Sequence, residues 1–271
     1  MPHPPLLPRE PVGALTVGSS AARLYTAALK PVLPLAIPAA LAATLTELLQ
    51  AGTDEADAVV DAEPGAALAI LVLTVIYGWL VIAVQHRVFR FAQGAGSTGE
   101  SLGTAARRLL PTFGATLLAG LGIGLPFALV IGMAVWAWGS GVHAVAVVLG
   151  AFSVAGLSYA AIRLATLTAE VVLRPTGPVA GLRASWALSR GHVAHIALVY
   201  LVLLVLVIAV LVVAGIVAGV LGLLAPALAG FLASVVSVVL LSVFMLPFGA
   251  AVVVTLWSDL RQRAGEAGID G

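Results

Sequence analysis

The chain has 271 residues, of which 61% are hydrophobic and 9% charged, and its mean hydropathy is +1.14. Soluble domains carry about a quarter charged residues, so an ordinary water-soluble globule is excluded. A net charge of +1 gives no global attraction to nucleic acid, and the absence of cysteine removes disulfides, thiolate metal sites and cysteine nucleophiles together.

Residues 1–11 hold Pro2, Pro4, Pro5 and Pro8 and read as an extended or disordered tail. No basic segment there runs into a short apolar core with a cleavage site, so no secretory signal peptide is expected. Residues 12–30 are mildly amphipathic, with Leu15, Leu24, Tyr25 and Leu29 as apolar anchors and Arg23 and Lys30 as basic marks. A first span is expected at 31–49, with Pro31, Pro34 and Pro38 in its opening turns, where a missing donor costs least. An acidic loop follows, carrying Asp54, Glu55, Asp57, Asp61 and Glu63 without one base.

A second span, 66–84, ends at Gln85-His86-Arg87. After Arg90 and a Gly94-Ala95-Gly96-Ser97 turn, residues 100–110 read as a short interfacial helix carrying Arg107 and Arg108, and Ser97-x-x-Glu100 fits a capping box. The third span, 112–135, contains Gly120, Gly122, Gly124 and Pro126 and closes on Trp136 and Trp138, residues of the interfacial belt. The turn Gly139-Ser140-Gly141 leads into the fourth span, 142–162, whose helix is expected to run on past Arg163 toward Arg174. The fifth, 196–224, has no charge over a length sufficient to cross about 30 Å of hydrocarbon. The sixth, 228–256, contains Pro247 and ends at Trp257-Ser258-Asp259-Leu260-Arg261.

With six spans, every lysine and arginine falls on one side: Arg9, Arg23, Lys30, Arg87, Arg90, Arg107, Arg108, Arg163, Arg174, Arg183, Arg190, Arg261 and Arg263. The positive-inside rule then puts both termini in the cytoplasm and the protein in the cytoplasmic (inner) membrane. The expected organisation is a tail at 1–11, a six-helix transmembrane domain at 12–260 and a cytoplasmic tail at 261–271. The fold class is all-α, a polytopic bundle with short cytoplasmic interfacial helices. Arginine in place of lysine, with abundant Ala, Val, Leu and Gly, fits a bacterial chain from a GC-rich genome.

Ala21-Ala22-Arg23-Leu24, Ala105-Ala106-Arg107-Arg108-Leu109 and Gly181-Leu182-Arg183-Ala184 each precede an outward span at separations of about eighty residues. They read either as three parallel units, each an interfacial helix plus a hairpin, or as basic residues that topology demands in any case. The stretch from Val171-Val172-Leu173-Arg174-Pro175-Thr176-Gly177-Pro178 through Leu182-Arg183-Ala184-Ser185-Trp186-Ala187-Leu188, followed by an apolar span, resembles a bacterial six-span family. Its members are the membrane domains of glycerophosphodiester phosphodiesterases, and YciC-type inner-membrane proteins are similar. Thr255-Leu256-Trp257-Ser258-Asp259-Leu260-Arg261 resembles the family's ending, and residues 17–35 its opening. The resemblance implies the six-helix fold over nearly the whole chain. It implies no hydrolysis, because that activity belongs to a fused barrel and no barrel sequence is present here.

Each candidate site has a plainer alternative. Arg183 and Arg190, seven apart and flanking Trp186, suit the anionic head groups of inner-leaflet lipids, with the indole at glycerol depth; a simple topology anchor is the commoner use. His192-x-x-His195 puts two imidazoles near one helical face but lacks a third ligand, so no metal is assigned. Arg163 and Glu170 share a face at a spacing too long for direct contact; Arg163 is expected to snorkel to the interface, the alternative being partial burial within the membrane with a partner from another element. Gly120-x-x-x-Gly124 and Gly215-x-x-x-Gly219 offer close helix approach within the bundle or between protomers, and a break at the first could serve transport. Ser153, Ser158, Ser234, Ser237 and Ser242 are expected to bond carbonyls one turn back. No phosphate loop, catalytic carboxylate pair or His-Glu-x-x-His motif occurs.

These readings point to a non-enzymatic scaffold or lipid-associated membrane factor with no cofactor. Its expected partners are membrane lipids and a membrane protein or second copy, not nucleic acid. The alternative is a small transporter or exporter of a lipidic or apolar compound. Glu47 and Glu170 lie toward opposite edges, which counts against ion coupling at mid-membrane.

Overall fold

The computed structural model describes residues 6–8, 10–51, 64–224 and 240–265. The acidic residues 54–63, the connection at 225–227, and Ser234 and Ser237 lie outside the described residues, as do 1–5 and 266–271. The elements are α1 (Ala14–Ala51), α2 (Pro64–Ala92), α3 (Thr98–Ala119), α4 (Leu125–Gly139), α5 (His143–Arg163), α6 (Leu167–Leu173), α7 (Pro178–Leu188), α8 (Val193–Leu224) and α9 (Leu246–Arg263). Six helical segments are long and apolar enough to cross a bilayer, and no strand occurs among the described residues. The chain is an all-α, multi-pass membrane protein.

The amphipathic lead-in and the first span are one helix. Ala14, Val17, Ala21, Leu24, Ala28, Val32, Leu35 and Ala39 are all buried, and their three-and-four spacing passes through Pro31 and Pro34 without a change of phase. One face therefore packs continuously, and the prolines sit inside the helix instead of at its start. Leu24 is an anchor as expected, whereas Leu15 is 72% exposed and points away from the bundle. The helix carrying Arg107 and Arg108 is likewise fused to its span, as α3. Only the third lead-in, α7, is a separate helix, cut from α8 by a turn in which Gly191 takes φ +80°.

Ser97 caps α3, its Oγ accepting from the Glu100 N–H at 3.1 Å. The Glu100 carboxylate reaches Arg90 instead, at 3.1 Å, so the capping box is half formed and the other half clasps α2. Two helices contain a widened π turn. Gly120–Gly124 joins α3 to α4 without a break, and Leu240–Met245 leads into α9. In both cases a proline follows at the second position of the next helix, Pro126 or Pro247. A proline ring clashes with the carbonyl four residues back, and a local π turn relieves that clash while keeping the helix continuous.

The last helix is the hub. Two-thirds of its spanning window, 67%, is buried, against none of the window in the α3–α4 span. Ala250, Ala251, Val254 and Trp257 of α9 meet Leu24, Val32 and Leu35 of α1 and Ala83, Val84 and Val88 of α2 in the main core. On the other side of α9, Val252, Leu256 and Leu260 meet Val17 and Ala21 of α1 and Ile196 and Val199 of α8. Arg261, expected to open a polar tail, is part of this helix and only 3% exposed.

Candidate functional site: a buried charge node and two grooves

The ends of α6 and α9, the start of α8 and the segment before α1 converge on a charged node. Glu170 on α6 is fully buried. Its Oε1 accepts from the Trp257 indole N–H at 2.7 Å, and both carboxylate oxygens accept from Arg261 Nη2, at 2.6 and 2.7 Å. Arg261 also lies over the Trp257 ring, 5.0 Å from its centroid. Trp257 and Arg261 are one helical turn apart, so α9 presents both donors to the same carboxylate.

A second buried carboxylate, Asp259, faces the other way. Its Oδ1 accepts from the Val12 N–H at 2.8 Å and its Oδ2 from Arg263 Nε at 2.8 Å, while His195 Nε2 lies at an ion-pair distance of 3.0 Å. Arg263 in turn donates to the Val12 carbonyl. The segment before α1 and the end of α9 are thereby pinned to one another and to the first turn of α8.

The helix expected to run from 142 to 174 breaks just after Arg163, where residues 164–166 turn the chain into α6. Ser185 of α7 and Ser189 just after it donate to the Arg163 carbonyl, at 3.2 and 3.1 Å, and Thr166 and Ser185 hydroxyls bond at 3.1 Å. Arg163 does not snorkel. It is 4% exposed, with its guanidinium 4.5 Å from the Trp186 ring centroid and 5.9 Å from that of Tyr159. Aromatic faces replace the carboxylate partner that a cation away from water otherwise needs. Gly181 permits the close seat of α7 on α6, since a Cβ there would fall 2.4 Å from Val171 Cγ2.

Arg183, Trp186 and Arg190 come together along one wall of a groove of about 540 Å³ between α7 and the α3 π turn. Leu118, Ala119, Gly122, Ile123, Leu164, Leu182 and Ala187 make the rest of its lining. Both arginines are exposed, and neither is paired with a carboxylate among the described residues. Cations thus stand beside an apolar trough, with an indole fixed between them by Arg163.

A second groove, about 510 Å³, opens between α2, α3 and α9. Its walls are mainly apolar, including Val81, Phe113 and Leu246, with Tyr77, Gln85, Thr112, Thr116 and Thr168 as polar members and no charged residue. Met245, from the π turn before α9, lines it, as Gly122 of the other π turn lines the first groove. Such turns recur at functional sites because they shift side chains out of the ordinary helical register.

The remaining candidates separate. His192 precedes the first residue of α8, whereas His195 turns to Asp259, and among the described residues no cluster able to hold a metal ion is found. Gly120, Gly124, Gly215 and Gly219 have no atom within 4 Å of an added Cβ, so they make no close helix approach among the described residues. Ser153 bonds the Leu149 carbonyl one turn back, at 2.8 Å. The node escaped sequence reasoning, although its signal was present: Trp257 and Arg261, and Asp259 and Arg263, stand at one-turn spacings at the end of an apolar span. Compared with protein-family models, with curated proteins and with solved structures, the chain finds no match in any of the three.

Proposed function

We propose that this protein is a non-enzymatic, lipid-associated factor of the cytoplasmic membrane, akin to the six-span family that its sequence resembles, and that it holds anionic phospholipid at the Arg183–Trp186–Arg190 groove. The observation that carries this reading is the pairing of two arginines that have no carboxylate partner among the described residues with an apolar trough and a buttressed indole. A phosphate answers the cations, an acyl chain fills the trough, and the indole suits the polar–apolar boundary between them.

Native mass spectrometry of the full chain tests this directly. Phosphatidylglycerol is expected to remain bound where phosphatidylcholine is stripped. Each arginine near an anionic lipid is worth about 1 kcal/mol, so Arg183→Gln with Arg190→Gln lowers retention about thirtyfold. Replacing both by lysine keeps the charge and most of the binding. Equal retention of the two lipids, or no change in the glutamine variant, overturns the assignment.

The orientation belongs to the same reading, with the arginine-rich end in the cytoplasm. Because the chain lacks cysteine, single-cysteine variants at Asp57 and Arg107 can be labelled in intact cells with an impermeant maleimide. Position 57 is expected to react and position 107 to react only after lysis; the reverse pattern would invert the topology. Export of a lipidic or apolar compound is the second reading, and the groove between α2, α3 and α9 is the observation that favours it.

A further inference from the structure

We infer that the groove between α2, α3 and α9 is a selective site for an uncharged, hydroxyl-bearing membrane lipid of the diacylglycerol or long-chain alcohol class. Its volume falls in the range of small-molecule sites, about 300–1,000 Å³. No charged residue lines it, so an ionic head group drawn inside would be left without a counter-charge in a medium of low dielectric. That separates it from the arginine-lined groove.

Its polar groups are only partly used. Gln85, 5% exposed, makes one hydrogen bond, from Nε2 to Thr168 Oγ1 at 3.2 Å, although a side-chain amide can make about four. Whichever way the amide is oriented, one end meets Thr168 and the other has no partner among the described residues. Thr112 lines the same groove, and its buried hydroxyl has no hydrogen-bond partner among the described residues. Polar side chains at membrane depth are costly and mark sites of function. A hydroxyl is donor and acceptor in one group, so it can satisfy either end of the amide, and the hydrocarbon attached to it matches the apolar remainder of the walls.

Two glycines shape the space. An added Cβ at Gly78 or Gly249 meets no atom within 4 Å, and both residues line the groove, so each offers a place to build a side chain toward it. Leucine at either position is the blocking variant.

The test uses the full chain in phosphatidylcholine nanodiscs with diazirine-bearing diacylglycerol or diazirine-bearing phosphatidylcholine, and maps labelled peptides after illumination. Diacylglycerol is expected to label α2 and α9 peptides preferentially, and excess unlabelled diacylglycerol to suppress that labelling. Gly249→Leu abolishes it, and Gly78→Leu does the same should the first variant fold poorly. Gln85→Leu keeps the shape but loses a hydrogen bond, lowering labelling about fivefold. Equal labelling by both probes, indifference to the leucine plugs, or indifference to Gln85→Leu would each overturn the inference. Phosphatidylglycerol retention in Gly249→Leu reads out the arginine groove separately, so failure of one site is distinguishable from failure of the other.

Discussion

Replacing Glu170 with alanine is expected to destabilise the folded chain by about 3–5 kcal/mol, the cost of removing one partner of a buried ion pair. The carboxylate is fully buried and holds Arg261, itself 3% exposed, and the Trp257 indole. Without it, a guanidinium stays in the bundle with this counter-charge gone, and desolvation of that cation dominates the loss. Titration of the purified chain with SDS from a mild detergent, followed by circular dichroism, measures the change. Glu170→Leu combined with Arg261→Leu removes both charges and should cost markedly less than the sum of the single variants. Strict additivity would show that the pair is not coupled. The main-chain carbonyl of Glu170 accepts from Thr176 Oγ1 at 3.0 Å in the segment leading to α7, a bond that side-chain substitution leaves in place. Glu170→Gln, which keeps an acceptor for the Trp257 indole, should cost less than Glu170→Ala.

Trp257→Ala should cost a similar amount, about 3–5 kcal/mol, for a different reason. At 1% exposure it is the largest fully buried side chain among the described residues, set edge-on to Phe89 with centroids 5.7 Å apart. Alanine there leaves a void where α1, α2 and α9 meet, and inside a membrane such packing contacts drive helix association in place of the hydrophobic effect. Trp257→Phe retains a ring but loses the donor to Glu170, about 1.5–3 kcal/mol for a hydrogen bond to a charged group. The same SDS titration separates them. Should phenylalanine cost as much as alanine, the indole matters through its hydrogen bond and not through its volume.

Much of the architecture was legible in the residues. The six apolar stretches, the Gly139-Ser140-Gly141 turn and the Ser97 cap all rest on local rules, a summed hydropathy or a turn residue in place, and the helices follow them. Arg183 and Trp186 line their groove from α7, but Arg190 reaches it from the turn after that helix, so the seven-residue spacing on one helical face is not what brings the trio together. The fusion of the lead-in to span one was also less legible. Its lone basic residues Arg23 and Lys30 suggested an interfacial helix, but the buried stripe from Ala14 to Ala39 kept its phase, and both cations sit on the exposed face of the same helix.

What the sequence by itself determined is which segments leave water, because transfer to hydrocarbon depends on the composition of a window and not on its neighbours. Only the tertiary structure decided the surroundings of the polar residues near the ends of those segments. Arg163, Glu170, Asp259 and Arg261 lie where one helix end can face either an aqueous interface or another helix, and nothing local distinguishes the two. Packing of α7 against α6, and of α9 between α1 and α2, brought aromatic rings and opposite charges within reach. Burial then became tolerable for charges that composition alone assigns to the interface, since an ion's cost in the bundle depends on the partner it finds there.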